Sequence, residues 1–381
     1  MQGVEEFRSE VRDWLAENLV GEFAALKGLG GPGREHEAFE ERRAWNQHLA
    51  HAGLTCLGWP VEHGGRGLSV AHRVAFYEEY AIANAPAKVN HFGEELLGPT
   101  LIAFGTPEQQ QRFLPRILDV TELWSQGYSE PGAGSDLANV STTAVLDDDE
   151  WVINGQKVWT SLAHWAQWCF VVARSEKGSK RHAGLSYLLV PLDQPGVEVR
   201  PIVQLTGDSE FNEVFFDDAR TDADLVVGQP GDGWRVAMGT LTFERGVSTL
   251  GQQIVYAREL SAVVELAKST GAAEDPLIRE RLTRSWAGLR AMRSYALATM
   301  DVEQPGQDNV SKLLWANWHR DLGEIAMDVQ GKAGLVLTGG DFDEWQRLYL
   351  FTRADTIYGG SNEIQRNIIA ERVLGLPREA R

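Results

Sequence analysis

The chain has 381 residues, 43% of them hydrophobic and 24% charged, a globular composition that excludes disorder, collagen-like repeats and a disulfide scaffold. At about 150 residues per domain, this length predicts two or three domains. With 36 Lys and Arg against 54 Asp and Glu, the net charge of −18 repels phosphate backbones and anionic membrane surfaces, so neither nucleic acid nor membrane is expected as a partner.

The N-terminal residues Met1-Gln-Gly-Val-Glu-Glu-Phe-Arg carry no apolar signal-peptide core, and no apolar run reaches about 18 residues. The first third then reads helical, with Phe39, Trp45, Leu49 and Ala52 at near-helical spacings. Cys56 and Cys169, the two cysteines, both sit in apolar stretches. They read as buried free thiols, so a cytoplasmic location is expected and a metal site is not. Thr106-Pro-Glu-Gln109 predicts a helix start, with Thr106 as cap, Pro107 in the first position and Gln109 closing a capping box. Phe113, Leu114, Ile117 and Leu118 form its apolar face.

After about Trp124 the period becomes that of strands. Ala144-Val-Leu146 and Trp151-Val-Ile153 flank an acidic turn, Asp147-Asp-Asp-Glu150. Asn154-Gly155 predicts a second hairpin turn, leading into Gln156-Lys-Val-Trp159. Trp168–Ala173, Leu185–Val190 and Glu213–Phe216 are further strands of an antiparallel barrel or sandwich. From Asp232, a candidate cap, helices return. Trp234, Met238 and Leu241 form one face; Leu282, Trp286 and Leu289 form a second; Val310, Leu314 and Trp318 form a third, after a loop at Gln304-Pro-Gly-Gln-Asp308. The expected architecture is α+β multidomain: an N-terminal all-α domain (1–122), a middle β domain (123–230) and a C-terminal helical bundle (231–381).

Chemistry enters with the Gly-rich loop Gly127-Tyr-Ser-Glu-Pro-Gly-Ala-Gly-Ser-Asp136. Small residues let backbone N–H groups and hydroxyls approach a ligand closely, although the spacing is neither a P-loop nor G-x-G-x-x-G, and a tight turn is the plainer reading of such a loop alone. The loop closely resembles the first signature of the acyl-CoA dehydrogenase family. Trp151-Val-Ile-Asn-Gly-Gln-Lys-Val-Trp-Thr-Ser161 resembles the family's flavin-contacting hairpin. Phe104-Gly-Thr-Pro-Glu-Gln-Gln-Gln-Arg-Phe-Leu-Pro115, Asp328-Val-Gln-Gly-Lys-Ala-Gly334 and Ile357-Tyr-Gly-Gly-Ser-Asn-Glu-Ile-Gln-Arg366 match further segments, in the family's order. The resemblance runs from about residue 5 to the end.

It implies an FAD enzyme that introduces an α,β-double bond into an acyl-CoA thioester. A carboxylate removes the α-proton, the β-hydrogen passes to flavin N5, and electrons leave through an electron-transfer flavoprotein. The carbonyl oxygen needs fixed donors as enolate charge develops, and the base must sit close to the α-carbon in a dry site. By position, Tyr128 and Ser129 would bind the flavin's pyrimidine edge, Trp159 would pack on its ring system and Ser161 would bond near N5; a place in the core is the other reading of Trp159, one of 13 tryptophans. Gly331, Gly334, Ser361 and Glu363 would be C-terminal cofactor contacts. Ser135 would touch the CoA arm. Arg245 would lie near the CoA and the base, with a salt bridge along its own helix as the other reading.

Many members carry the base in Tyr-Glu-Gly-Thr, where this chain reads Tyr358-Gly-Gly-Ser361. A subgroup instead carries it on a helix before the family's arginine; here that helix reads Met238-Gly-Thr-Leu-Thr-Phe-Glu-Arg245, so Glu244 is the expected base. At about 60° round the helix from Leu241, it would lie beside an apolar face, where desolvation raises a carboxyl toward a useful base. A solvated surface Glu is the alternative. The family's Arg-x-x-Phe-Gly, which reaches FAD in a neighbouring subunit, is missing from Glu265-Leu-Ala-Lys-Ser-Thr-Gly-Ala-Ala-Glu-Asp-Pro276, and Lys332 stands where the family prefers Gly or Ser. Three readings follow: a working dehydrogenase in a homodimer or homotetramer, a non-catalytic or half-site subunit of a heterotetramer, or an acyl-CoA oxidase. The last is disfavoured because such oxidases carry extra C-terminal length. Phe243 and Tyr358 are expected to border the acyl cavity, where Gly359 leaves volume for a branched or cyclic group. The segments around Glu244 and Tyr358 look most like actinobacterial dehydrogenases of sterol catabolism, some of which act on steroid-ring fragments.

Overall fold

The computed structural model describes residues 3–243, 248–299, 305–337 and 339–378. Helices α1 (Val4–Asn18), α2 (Phe39–His51), α3 (Val70–Ile82), α4 (Gly98–Phe104) and α5 (Pro107–Leu118) come first. Strands β1 (Trp124–Gly127), β2 (Thr143–Asp147), β3 (Glu150–Ser161), β4 (Trp168–Arg174), β5 (Leu185–Pro191), β6 (Val197–Ile202) and β7 (Phe211–Asp222) follow. Helices α6 (Gly233–Phe243), α7 (Ser248–Thr270), α8 (Pro276–Thr299), α9 (Gln307–Gln330), α10 (Glu344–Asp355) and α11 (Asn362–Ile368) complete the chain. Helical ends around a middle sheet are what the periodicities predict. Among the described residues, no helix is long and apolar enough to cross a membrane.

Two compact units divide these elements. One comprises Asn18–Ser69 and Ala85–Gly246, and so holds the sheet with α2, α4, α5 and α6. Its seven strands run β1-β4-β2-β3-β7-β6, with β5 on β4. The β1–β4 pairing is parallel, a departure from an all-antiparallel sheet. Strands β4 and β5 are buried on both faces. Phe170 and Val172 enter one apolar cluster, while Cys169, Val171 and Ala173 enter another. That is why these strands read as continuous apolar runs without alternation. Both cysteines are buried and free, and burial pushes the Cys169 thiol up to about 12.

Helix α5 begins as its sequence predicts. Thr106 Oγ1 accepts from Gln109 N at 3.2 Å, and Gln109 Oε1 accepts from Thr106 N at 3.1 Å. The Gln109 amide also donates to the carbonyls of Asp224 and Val226, tying the helix start to the chain beyond β7. Phe113, Leu114 and Ile117 are buried below it.

The turn at Asn154-Gly155 does not exist. The β2–β3 hairpin closes at Asp147↔Glu150, with Asp148 at φ +53°, and β3 then runs unbroken to Ser161 against β7. Asn154 spends its amide on β7: its Nδ2 donates to Asp218 Oδ1, and its Oδ1 accepts from Asp218 N, both at 2.9 Å. Gly155 sits at a register shift where a Cβ would lie 2.4 Å from Thr142 Oγ1. Here Gly lies opposite a bulge in β7 and at a close approach, as Gly inside strands generally does.

The other unit comprises Met1–Glu17, Val70–Asn84 and Val247–Arg381, and so holds α1, α3 and α7 to α11. Leu282, Leu289 and Trp318 are buried as expected, but Trp286 is 56% and Leu314 41% exposed. The inward face of α9 instead carries Lys312, Ala316, His319 and Leu322, and its two cations hide it from a count of apolar residues. Of the expected loop, Gln304 lies outside the described residues, Gly306 (φ +81°) caps α9, and Gln307 and Asp308 belong to the helix.

Candidate active site

Strand β1 ends at Gly127, where a Cβ would lie 2.8 Å from Cys169 Sγ; only Gly lets β1 lie this close to β4. Beyond it, Tyr128 is buried and Ser129 half-buried. The loop is pinned from below by a buried ion pair. Lys157, with no exposed surface, donates to Glu130 Oε1 (2.8 Å), Tyr128 O (3.1 Å) and Val172 O (2.7 Å). Three acceptors around one amine match the three protons of an ammonium. Burial alone would raise the Glu130 carboxyl, but Lys157 and hydrogen bonds from Ser141 and Thr142 outweigh it and hold it at about 2. One bond further, Val158 N donates to Ser129 O at 2.9 Å. The expected flavin contacts Tyr128, Ser129, Trp159 and Ser161 are thereby brought together, where the loop meets the end of β3.

Trp159 is held at φ +60°, beside a register shift between β3 and β7, and is 57% exposed. A large aromatic side chain in the left-handed region is a costly arrangement, and here it turns the ring outward with Phe211 edge-on at 6.2 Å. Next to it, Thr160 O accepts from Asn212 Nδ2 at 2.9 Å, while the buried Thr160 Oγ1 has no partner among the described residues. Gly132 and Gly134 meet nothing within 4 Å and have no positive φ. Neither packing within the chain nor backbone conformation requires glycine there, so the loop is open to close approach by a ligand. An outward aromatic face, a bare loop and a hydroxyl at Ser161 suit a flat ring system with a hydrogen-bonding edge, so these residues fit a flavin. Ser135, expected on the CoA arm, is exposed on the same loop.

The second group of expected contacts lies in the other unit. Tyr358 is 37% exposed, and its hydroxyl donates to Asp355 Oδ1 at 2.7 Å. Gly359 (φ +59°) and Gly360 (φ +86°) form the turn, their carbonyls accepting from Gln365 Nε2 at 3.0 and 3.2 Å. Ser361 caps α11 through Ile364 N. Glu363 is exposed beside Arg366, at 3.6 Å. Gly331 ends α9 at φ +59°. Gly334 has a packing reason of its own, since a Cβ would lie 2.7 Å from Gln330 Oε1. That oxygen is itself buried without a partner among the described residues, so a donor from a bound group would satisfy it. Lys332 is exposed.

Of the residues around the expected base, Phe243 ends α6 and is 37% exposed. Glu244 and Arg245 lie outside the described residues. Helix α6 is anchored through buried Val236, Ala237 and Thr240, whose hydroxyl lies 2.9 Å from that of Thr100. Trp234, Met238 and Leu241 are only partly buried. Sequence reasoning missed Glu130, Lys157 and Asn212, and the buried network around His319 described below. Among the described residues, no cluster of His, Cys, Asp or Glu has the arrangement to hold a metal ion.

Comparison with known proteins agrees over the whole length. The N-terminal, middle and C-terminal domain profiles of acyl-CoA dehydrogenase match residues 2–121, 125–219 and 231–374. The chain is 87% identical to acyl-CoA dehydrogenase IpdE1 of Mycolicibacterium smegmatis over 388 residues, covering 99% of each chain. It is 85% identical to the IpdE1 of Mycobacterium tuberculosis over 384 residues, covering all of both. Among solved structures it superposes on a chain of the ChsE4–ChsE5 complex from Mycobacterium tuberculosis with a TM-score of 0.82 at 30% identity, covering 99% of this chain and 98% of that one. The steroid ACAD Tcur3481–Tcur3483 gives a TM-score of 0.84 at 30% identity, with the same coverage.

Proposed function

The chain belongs to the acyl-CoA dehydrogenase family of FAD-dependent oxidoreductases acting on CH–CH bonds, and from that premise we propose that it dehydrogenates a CoA thioester whose acyl group is bulky, branched or cyclic, such as a steroid-ring fragment. The observation that carries the substrate reading is the turn at Gly359. Where many members place a carboxylate, this chain has no side chain at all, in a φ +59° conformation that favours glycine. Loss of that group leaves volume beside Tyr358. The steroid ACAD among its structural relatives points the same way.

In this reading Glu244 takes the α-proton, with Arg245 near it and the CoA arm. Phe243 and Tyr358 border the acyl group, and Ser135 touches the CoA arm. Tyr128, Ser129, Trp159 and Ser161 hold the flavin ring, with Gly331, Gly334, Ser361 and Glu363 as further cofactor contacts. FAD, when bound, supplies the acceptor for the β-hydrogen, and an electron-transfer flavoprotein takes the electrons onward. The buried thiols Cys56 and Cys169 favour the cytoplasm as the compartment. The experiment is a panel of linear, branched and polycyclic acyl-CoAs, scored by bleaching of the flavin band at about 450 nm. Bleaching only by thin linear thioesters would overturn the substrate reading.

A second reading concerns assembly. Family FAD sites complete themselves between subunits, so we propose an oligomer. The missing Arg-x-x-Phe-Gly and the likeness to a two-chain complex favour a heteromer over a homodimer or homotetramer. Purified alone, the chain is then expected to bind little flavin and to gain it when a second, related chain is added. A fully flavin-loaded homo-oligomer in sedimentation would overturn the heteromeric form.

A further inference from the structure

We propose that His319 is a positioning residue for the dehydrogenation: through Asp355 it holds the Tyr358 hydroxyl, and with it the Tyr358–Gly360 turn, as a rigid wall against the acyl group. The proposal rests on the reading that Tyr358 borders the acyl cavity.

Both ring nitrogens of His319 face carboxylates. Nδ1 is 2.7 Å from Asp355 Oδ2 and Nε2 is 3.0 Å from Glu259 Oε2. An imidazole flanked by two acceptors must carry two protons. Burial by itself would drive the second proton off, but hydrogen bonds and charge from Asp355 and Glu259 outweigh it and raise the group to about 9. Asp355 is 1% exposed, and its other oxygen accepts from Tyr358 OH. Asp355 thus bridges the imidazolium and the phenol, one oxygen to each, and a hydrogen bond to a carboxylate that faces a cation is a strong one. Remove the imidazolium, and the buried Asp355 side chain loses the partner that fixes its orientation, loosening Tyr358.

Among the described residues, Tyr256 and Lys312 are further titratable groups of this network. The Tyr256 ring of α7 lies 4.5 Å from the His319 ring, tilted by 36°. Lys312, on α9 itself, donates to Asp355 O at 2.5 Å and lies over the rings of Trp315 (4.0 Å) and Tyr358 (4.6 Å). Tyr358 is therefore fixed at its hydroxyl by Asp355, at its ring face by Lys312 and through the following turn by Gln365. Proton removal by Glu244 does not call for this network. A rigid polycyclic acyl group needs a wall in one place, whereas a thin linear chain adapts to a loose one.

The test compares the assembled, flavin-loaded enzyme with its His319→Gln, Tyr358→Phe and double variants. For each, kcat and KM are measured with one polycyclic and one linear acyl-CoA between pH 6 and 9.5, alongside flavin content. His319→Gln should raise KM for the polycyclic thioester about tenfold, the scale of a lost charged hydrogen bond, with KM for the linear one and flavin content nearly unchanged. The double variant should be no worse than the worse single one, because both act through one chain of contacts. In the parent enzyme, KM for the polycyclic thioester should climb as pH approaches 9, and the climb should vanish in His319→Gln. An unchanged KM in His319→Gln, or an effect that adds in full to that of Tyr358→Phe, would overturn the proposal while leaving Tyr358 at the cavity. If Tyr358→Phe and Tyr358→Ala leave KM unchanged for every thioester, the cavity reading falls and this inference with it. The pH profile of the parent enzyme needs no variant to fold, and a flat profile up to 9.5 counts against His319 on its own.

Discussion

At the scale of single residues, the chemistry is set by where charge is allowed to be buried. Lys157 is a cation with no exposed surface, tolerated because Glu130 and two carbonyls surround it. Replacing Glu130 by Gln strands the ammonium, which costs about 3–5 kcal/mol in a buried pair. The expected result is a lower unfolding midpoint together with loss of bound flavin, because Lys157, which clamps the Tyr128 carbonyl, loses its charged partner; unchanged flavin content would detach the pair from the flavin loop. Glu244→Gln is expected to keep fold and flavin but to lower kcat by at least the ~10²–10⁴-fold of a general base. Near-normal turnover would remove Glu244 from the mechanism. Lys157 was legible in principle: it shares strand parity with Trp151 and Ile153, both buried, and parity outranks polarity in deciding which face a strand residue occupies.

At the scale of elements, glycine positions separate turns from close approaches. Gly155 lets β3 pass Thr142, whereas Gly359 makes a true turn at φ +59°. Restoring the family's carboxylate with Gly359→Glu therefore has two expected effects. A non-glycine residue in that conformation costs about 1–2 kcal/mol, read as a lower melting temperature. The new side chain fills the volume assigned to the acyl group, so kcat/KM for a polycyclic thioester should fall. A rise in kcat/KM would overturn both the Glu244 assignment and the argument from volume. Helix α5 was readable to the residue, because its start signal is local and made of its own side chains. Helix α9 was not. Its inward face is chosen by Asp355 and Glu259, which lie 36 and 60 residues from His319 in sequence, and no local pattern reports such partners.

For the whole molecule, stability should depend on pH through groups of opposite sense. Glu130 is held down at about 2, so its contribution is present above the ordinary carboxyl range near 4.5 and is lost as pH falls toward 2. His319 is raised to about 9; its contribution is complete below the ordinary imidazole value near 6.5 and is lost as pH rises through 9. Glu210 is raised to about 7, by burial first and then by the neighbouring charge of Glu35, while the Gly33 N–H opposes the shift. Its contribution is therefore complete below about 4.5 and lost as pH rises through 7. Glu210→Gln keeps an acceptor for Gly33 N–H and removes the buried charge. It should leave the melting temperature equal or higher at pH 8 and flatten the decline between pH 4.5 and 7. A lower melting temperature at pH 8 would mean that the carboxylate is stabilising.

The sequence by itself determined what depends on neighbours along the chain. The helical–β–helical order, the capping box at Thr106, the buried thiols and the glycine-rich loop all follow from local periodicity, local hydrogen bonding and the size of single side chains. Its motifs likewise pointed to the family. What only the tertiary structure decided depends on partners far apart in sequence. Asn154-Gly155 stayed within a strand, opposite a bulge in β7, because Asp218 and Thr142 were there to meet it. Trp159 faces outward because a shift in β3–β7 register puts its backbone at φ +60°. Lys157 and His319 are buried because Glu130, Asp355 and Glu259 neutralise them in place. A side chain's charge can be read from one letter, but whether that charge can be buried is settled only by the group that the fold brings to face it.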